Sequence, residues 1–128
     1  MFGFFKKPDS MKSAIECHSA WLALSDRDKK TVAENIEKFV DSIGLETKSS
    51  SDALSKIGEY KQAVIRQHNI NNNRHPAFIQ LQIISDYIFS RGQSSASHVK
   101  CVSIFKEFVS PLPENSRRKV LDTLNRFI

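Results

Sequence analysis

The chain has 128 residues, 40% of them hydrophobic, with nine phenylalanines and only four glycines. That length buries roughly two thirds of the unfolded surface in one domain without disulfides or metal, and the composition excludes disordered, collagen-like and low-complexity classes. The net charge of +5 is lopsided: residues 1–61 carry ten basic and ten acidic side chains, residues 62–128 nine and four.

In chain order, the opening MFGFFKKP lacks the apolar core of a signal peptide, and residues 1–8 read as a strap that either docks on the domain or stays exposed. A first helix is expected from Asp9 or Ser10 to about Leu24, burying Met11, Ala14, Ile15, Cys17 or His18, Trp21 and Leu22. Ser25 then caps a second helix with the stripe Val32, Ile36, Phe39, Val40 and Ile43, and Gly44 is expected to end it. After the polar ETKSSSD, Ser51 or Asp52 caps a third helix to about His68. Its inward residues are Leu54, Ile57, Tyr60, Ala63 and Val64, and Gly58 at mid-helix implies a closely packed neighbour. Asparagines over 69–73 mark a loop, and Pro76 suits the first turn of a fourth helix. That helix places Phe78, Ile79, Leu81, Ile84, Tyr87 and Ile88 inward, and Ile83 and Phe89 spread its apolar surface around most of the circumference, the mark of the most buried element. Ser94 and Ser95 begin a fifth helix with Val99, Cys101, Val102, Phe105, Phe108 and Val109 inward. The break Pro111-Leu112-Pro113 leads to a sixth.

Two of these stretches repeat. LSDRDKKTVAENIEKFV from Leu24 registers without a gap on LPENSRRKVLDTLNRFI from Leu112, and Ser13 to Trp21 echoes Ser97 to Phe105 after a four-residue offset. Cys17 and Cys101 occupy matching places, which points to buried thiols in a reducing cytoplasm and leaves a bridge between them as the other reading. The fourth helix keeps a trace of the same spacing. An all-α fold follows: one domain over 1–128, six helices as three hairpins, either a HEAT-like stacked repeat by its period or a compact helical bundle.

Chemistry is sparse. Cys17 and His18 are adjacent on a helix and point about a hundred degrees apart, so they do not face each other for proton transfer. His68 and His75 span a loop with no cysteine or carboxylate cluster, so neither a metal nor another cofactor is expected. No glycine-rich phosphate loop or hydrolase signature occurs, and no enzymatic activity is expected. The loop with His68, Asn72, Arg74 and His75 is rich in donors and acceptors and is the first candidate for partner binding. The second is Arg117, Arg118 and Lys119, a positive cluster at a helix start that opposes the helix dipole. Arg66, Arg91 and Arg126 extend the basic surface, which solubility alone also explains.

The expected function is a non-catalytic, cytoplasmic protein-binding module. Its kind would be an inhibitor or immunity protein that blocks a partner such as a toxin or enzyme. Nucleic-acid binding through the basic C-terminal half is the alternative, and no segment is apolar enough to cross a membrane.

Overall fold

Three of the helices start where a serine side chain takes up a backbone donor. In a computed structural model of the protein, residues 10–47, 49–68 and 75–126 are described, with Glu46 and His68 described by their backbone alone. Six helices form among them: α1 (Ser10–Leu22), α2 (Asp26–Glu46), α3 (Ser50–His68), α4 (Pro76–Ser90), α5 (Ser95–Phe108) and α6 (Glu114–Asn125). Ser25 Oγ accepts from Asp28 N at 3.1 Å, Ser49 Oγ from Asp52 N at 3.2 Å, and Ser94 Oγ from Ser97 N at 3.2 Å. These bonds satisfy donors that a helix start leaves open. The strap 1–8, the loop 69–73 with Asn72, and Arg74 lie outside the described residues.

α4 is the axis of the molecule. It packs against α1, α2, α3 and α5, and ten of its fifteen residues are buried. The all-round apolar pattern therefore means what a soluble buried helix requires. Around it the duplicated segments pack like on like. Trp21 of α1 stacks on Phe108 of α5 with centroids 5.1 Å apart, and His18 Nε2 lies 2.6 Å from Glu107 Oε2. Asp41 of α2 meets Lys119 of α6 at 3.0 Å, and Gly44 meets Thr123. Contacts advance together along both pairs, so α1 runs parallel to α5 and α2 to α6. The first hairpin touches the third directly, with α4 central, so the arrangement is a compact bundle in place of hairpins stacked in chain order.

The residues shared by the two copies are the buried ones. Cys17 and Cys101, Val32 and Val120, and Ile36 and Leu124 are each at most 1% exposed. Both cysteines are buried thiols, and no disulfide joins them.

Several inward assignments do not hold. Ile15, Leu22 and Val99 are 45%, 54% and 67% exposed, and Ala63 is also exposed. α1 and α5 each pack along a narrower stripe than the apolar spacing implied. The two helical glycines exchange roles. Gly44 does not end α2, which continues to Glu46 and closes on Thr47, whose N–H and Oγ1 both donate to Ile43 O. Gly44 instead admits α6: a Cβ there would stand 2.7 Å from Thr123 Cγ2 and 3.0 Å from Arg126 Nη2. Gly58, expected at a close approach, has open space around it.

Opposite outcomes follow for the same substitution. Gly58→Ala should stabilise the protein by about 1 kcal/mol, the helix-propensity gain alone. Gly44→Ala should destabilise by about 1 kcal/mol, because displacement of Thr123 outweighs that gain, and should become stabilising in a Thr123→Ala background. Urea unfolding of the four variants measures all of these.

Candidate cleft between α4, α5 and α6

α6 packs chiefly on α2 and scarcely touches α5, although the two are consecutive. They diverge from the Pro111-Leu112-Pro113 turn and leave an open cleft of about 350 Å³ against the C-terminal end of α4. Tyr87 and Arg91 come from α4 and its cap, His98, Val102 and Lys106 from α5, and Arg118, Leu121, Asp122 and Asn125 from α6. A shallower hollow continues along α5 over Val99 and Ser103.

Helical spacing sets the walls. His98, Val102 and Lys106 recur every four residues along α5, and Arg118, Leu121, Asp122 and Asn125 follow the three-and-four spacing of one face of α6. Each wall therefore has an apolar middle, Val102 or Leu121, and polar ends. Three cations, Arg91, Lys106 and Arg118, face one carboxylate, Asp122. Arg118 pairs with Glu114 at 3.1 Å one turn back, whereas the ion pairs of the described residues include neither Arg91 nor Lys106.

The polar groups at the base are ordered by a short relay. Ser90 Oγ donates to Tyr87 O at 2.8 Å, which spends its only proton. Its contact with His98 Nδ1 at 3.1 Å must then be donated by the ring, so Nδ1 carries the proton and Nε2 keeps a lone pair. Arg91 Nη1 approaches that lone pair at 3.5 Å. Burial and the neighbouring Arg91 lower the pKa of His98, which keeps the ring neutral and the lone pair available at neutral pH. Tyr87 donates to Asn125 Oδ1 at 2.8 Å, and burial raises its pKa. The base of the cleft thus consists of groups fixed by hydrogen bonds, with the guanidinium of Arg91 at its mouth.

The residues singled out from sequence are dispersed. His75 is the N-cap of α4, its Nδ1 accepting from Ala77 N at 3.1 Å. The His68 side chain, Asn72 and Arg74 lie outside the described residues. Arg117 donates to Ser110 O at 3.3 Å and to Leu112 O at 3.2 Å, tying down the turn before α6. Its counterpart Lys29 lies over the Trp21 ring at 4.8 Å, the same device of anchoring a helix start to what precedes it. Lys119 pairs with Asp41, leaving Arg118 as the member of the trio in the cleft. His98, Lys106 and Tyr87 carried no local sequence signal as a site. Their spacing along one face of α5, and opposite α6, becomes visible only once the divergence of α6 is known.

A second cluster of chemistry lies inside the bundle. Gln82 links three elements: its Oε1 accepts from Lys61 Nζ of α3 at 2.7 Å, and its Nε2 donates to Asp86 Oδ1 at 2.9 Å and to Ser13 Oγ of α1 at 3.1 Å. Asp86 is 3% exposed, and burial raises its pKa from 3.8 to about 6, against the favourable pull of Gln82, Ser13 and Lys61. Burial lowers that of Lys61. Burial, reinforced by Asp86, pushes the Cys17 thiol up to about 12, which removes the thiolate a nucleophile needs. His18 turns away from Cys17 towards Glu107. Among the described residues no group of three or more His, Cys, Asp and Glu side chains is placed to hold a metal.

The folded-state pKa of Asp86 exceeds its ordinary value, so its contribution is fully present below about pH 3.8 and is lost as pH rises through about 6. The separation corresponds to about 2 to 3 kcal/mol. Asp86→Asn should remove this component of the pH dependence and leave the protein about 1 to 2 kcal/mol more stable than wild type at pH 7.5, the lost attraction to Lys61 taking the remainder. Thermal unfolding of both proteins from pH 4 to pH 8 checks it; a wild-type stability that rises across that interval while the variant's stays flat would contradict it.

No family model matches the chain, and comparisons with curated proteins and with solved structures found no match.

Proposed function

We propose that this chain is a non-catalytic protein-interaction module that receives an acidic segment of a partner protein in the cleft between α5 and α6, and that it acts on that partner by covering its surface, as an inhibitor or immunity protein does. The observation that supports this reading is the cleft itself: an apolar middle of Val102 and Leu121, continued by the 67% exposed Val99, inside a rim where three cations face one carboxylate. Apolar surface beside uncompensated charge is the anatomy of a protein interface, where burial supplies affinity and charge supplies selection. A patch of about 800 Å² suffices for a specific complex, which a domain of this size can offer on one side.

The alternative, nucleic-acid binding, draws on the same cations. Lys119 and Arg126 beside Arg118 give α6 a basic stripe, but Lys119 and Arg118 already pair with Asp41 and Glu114, and Asp122 sits within the stripe. Phosphate binding would require displacing those carboxylates from a face that offers little aromatic surface for bases.

A photo-crosslinking residue at position 99, with the same residue at exposed position 59 on α3 as control, tests the reading in cells of the natural host. The expected result is a single protein crosslinked at 99 and not at 59, lost on reversing Arg91, Lys106 and Arg118 to glutamate, whose activity falls when the purified chain is added. Crosslinking only to nucleic acid, with affinity falling steeply as salt rises, would overturn it.

A further inference from the structure

α3 is weakly held by the bundle. It packs on α4 and scarcely on any other helix, and of its described side chains only Ala53 and Ile57 are buried, against ten residues of α4. Its ring contact with α2, Tyr60 against Phe39 at 5.7 Å, joins two side chains that are both partly exposed. Gly58 at its middle has open space around it, so the helix carries the cost of a glycine without a close contact in return. Few buried contacts and a weak helix interior are the marks of a segment that opens before the rest. α6 also has one chief neighbour, and what sets α3 apart is the carboxyl beside it.

Asp86 lies where α1 and α3 meet on α4. Gln82 donates to its Oδ1 at 2.9 Å, Lys61 of α3 reaches Gln82 Oε1 at 2.7 Å, and Ser13 of α1 accepts from the same glutamine at 3.1 Å. The charged and titratable groups acting on it are Lys61 from α3 and Glu16 and Cys17 from α1. Asp86 Oδ2 is buried without a hydrogen bond. An ionised carboxyl in that place lacks a donor on one oxygen, and water is the donor that would relieve it. α1 is fastened to α5 as well as to α4, through Trp21 on Phe108 and His18 on Glu107, so the wall that can give way is α3.

We propose that α3 is a pH-sensitive latch: it comes away from α4 and unravels while the other five helices stay packed, and proton loss from Asp86 drives it open. A single helix of this length is marginal in water, so leaving α4 and unwinding are one event. Opening admits water to Oδ2 and uncovers the surface that Ala53 and Ile57 bury. The closed-state pKa of Asp86, about 6, lies above its ordinary 3.8, so its support for closure is fully present below about pH 3.8 and is lost as pH rises through about 6. With the carboxyl fully hydrated once α3 has left, the opening constant rises about tenfold between pH 5 and pH 8, and Ser13 beside it makes that an upper value. Lys61, whose pKa burial lowers, also gains water on opening, and removing the carboxyl separates its effect. The latch goes beyond the module reading and holds whatever the cleft receives.

Native-state hydrogen exchange of the full chain tests it, read by NMR from pH 5 to pH 8 with rising urea and corrected for the intrinsic pH dependence of exchange. Amides from Leu54 to Val64 should share one opening whose urea dependence is smaller than that of Ile83 and Ile84 in α4. Its equilibrium constant should rise by about threefold to tenfold over that interval. Asp86→Asn should remove most of the rise, and Gly58→Ala should lower the opening about fivefold. In wild type the Asp86 side-chain carbon should titrate near pH 6, a measurement that needs no variant to fold. The latch is overturned if the α3 amides exchange only through the global unfolding seen at Ile83 and Ile84, or if the rise survives Asp86→Asn. An opening indifferent to Gly58→Ala, or an Asp86 that titrates near its ordinary value, overturns it equally.

Discussion

Burial of α4 by four other helices is the constraint on which the rest of the structure depends. A helix enclosed by four others has no solvent for its polar residues, and α4 carries Gln80, Ser85, Asp86 and Ser90 among those that are buried. Each must find a partner or remain costly. Gln80 takes Asn35 of α2 at 3.2 Å, Asp86 takes Gln82, and Ser90 takes its own backbone and then His98. The last of these reaches out of the core into the cleft, so the orientation of a surface imidazole is settled by the hydrogen-bond needs of the central helix. Asp86 Oδ2 is left without a hydrogen bond, consistent with a carboxyl that holds its proton more tightly than usual.

Like-on-like packing of the two copies explains how a chain this short surrounds such a helix. α1 against α5 and α2 against α6 build two walls from one pattern, and α4 is held between them while α3 rests on its remaining side. The close approach at Gly44 draws α6 towards α2, and by doing so draws it away from α5. Thus one missing Cβ at the C-terminal end of α2 is a condition for an open cleft on the far side of α6.

Much of the scaffold was legible in the sequence because it depends on local rules. Ser25 and Ser94 announce helix starts by capping, Pro76 fits a first turn, the circumference of α4 reads as buried, and the echo between copies names the core pairs. What was not legible depends on the relative placement of helices. Gly44 reads as a helix end because glycine weakens helices, and only the position of Thr123 shows that it serves contact instead. Gly58 reads as a contact for the same reason and is not one. Val99 carries the right spacing for the core, yet it stays exposed, as Ile15 does at the matching place in α1. The cleft itself unites residues from three elements, and no spacing within any one of them marks it; of its members only Arg91 and Arg118 stood out, as part of a general basic excess.

Comparing the copies position by position shows that several of their differences fall on this face. Ala14, fully buried in α1, corresponds to His98; Leu22 corresponds to Lys106; Ala33, fully buried in α2, corresponds to Leu121; and Glu37 corresponds to Asn125. Two small buried residues have become larger ones that line a surface, one exposed leucine has become a cation, and one carboxylate has become neutral. Core packing does not require these changes, since Val32 and Val120 or Ile36 and Leu124 keep their places without them. Stability would favour a carboxylate opposite Arg91 and Lys106, as Glu114 stands by Arg118, because uncompensated cations in one cleft repel. A surface whose Arg91 and Lys106 enter none of the ion pairs of the described residues carries a repulsion that something acidic laid over it would relieve.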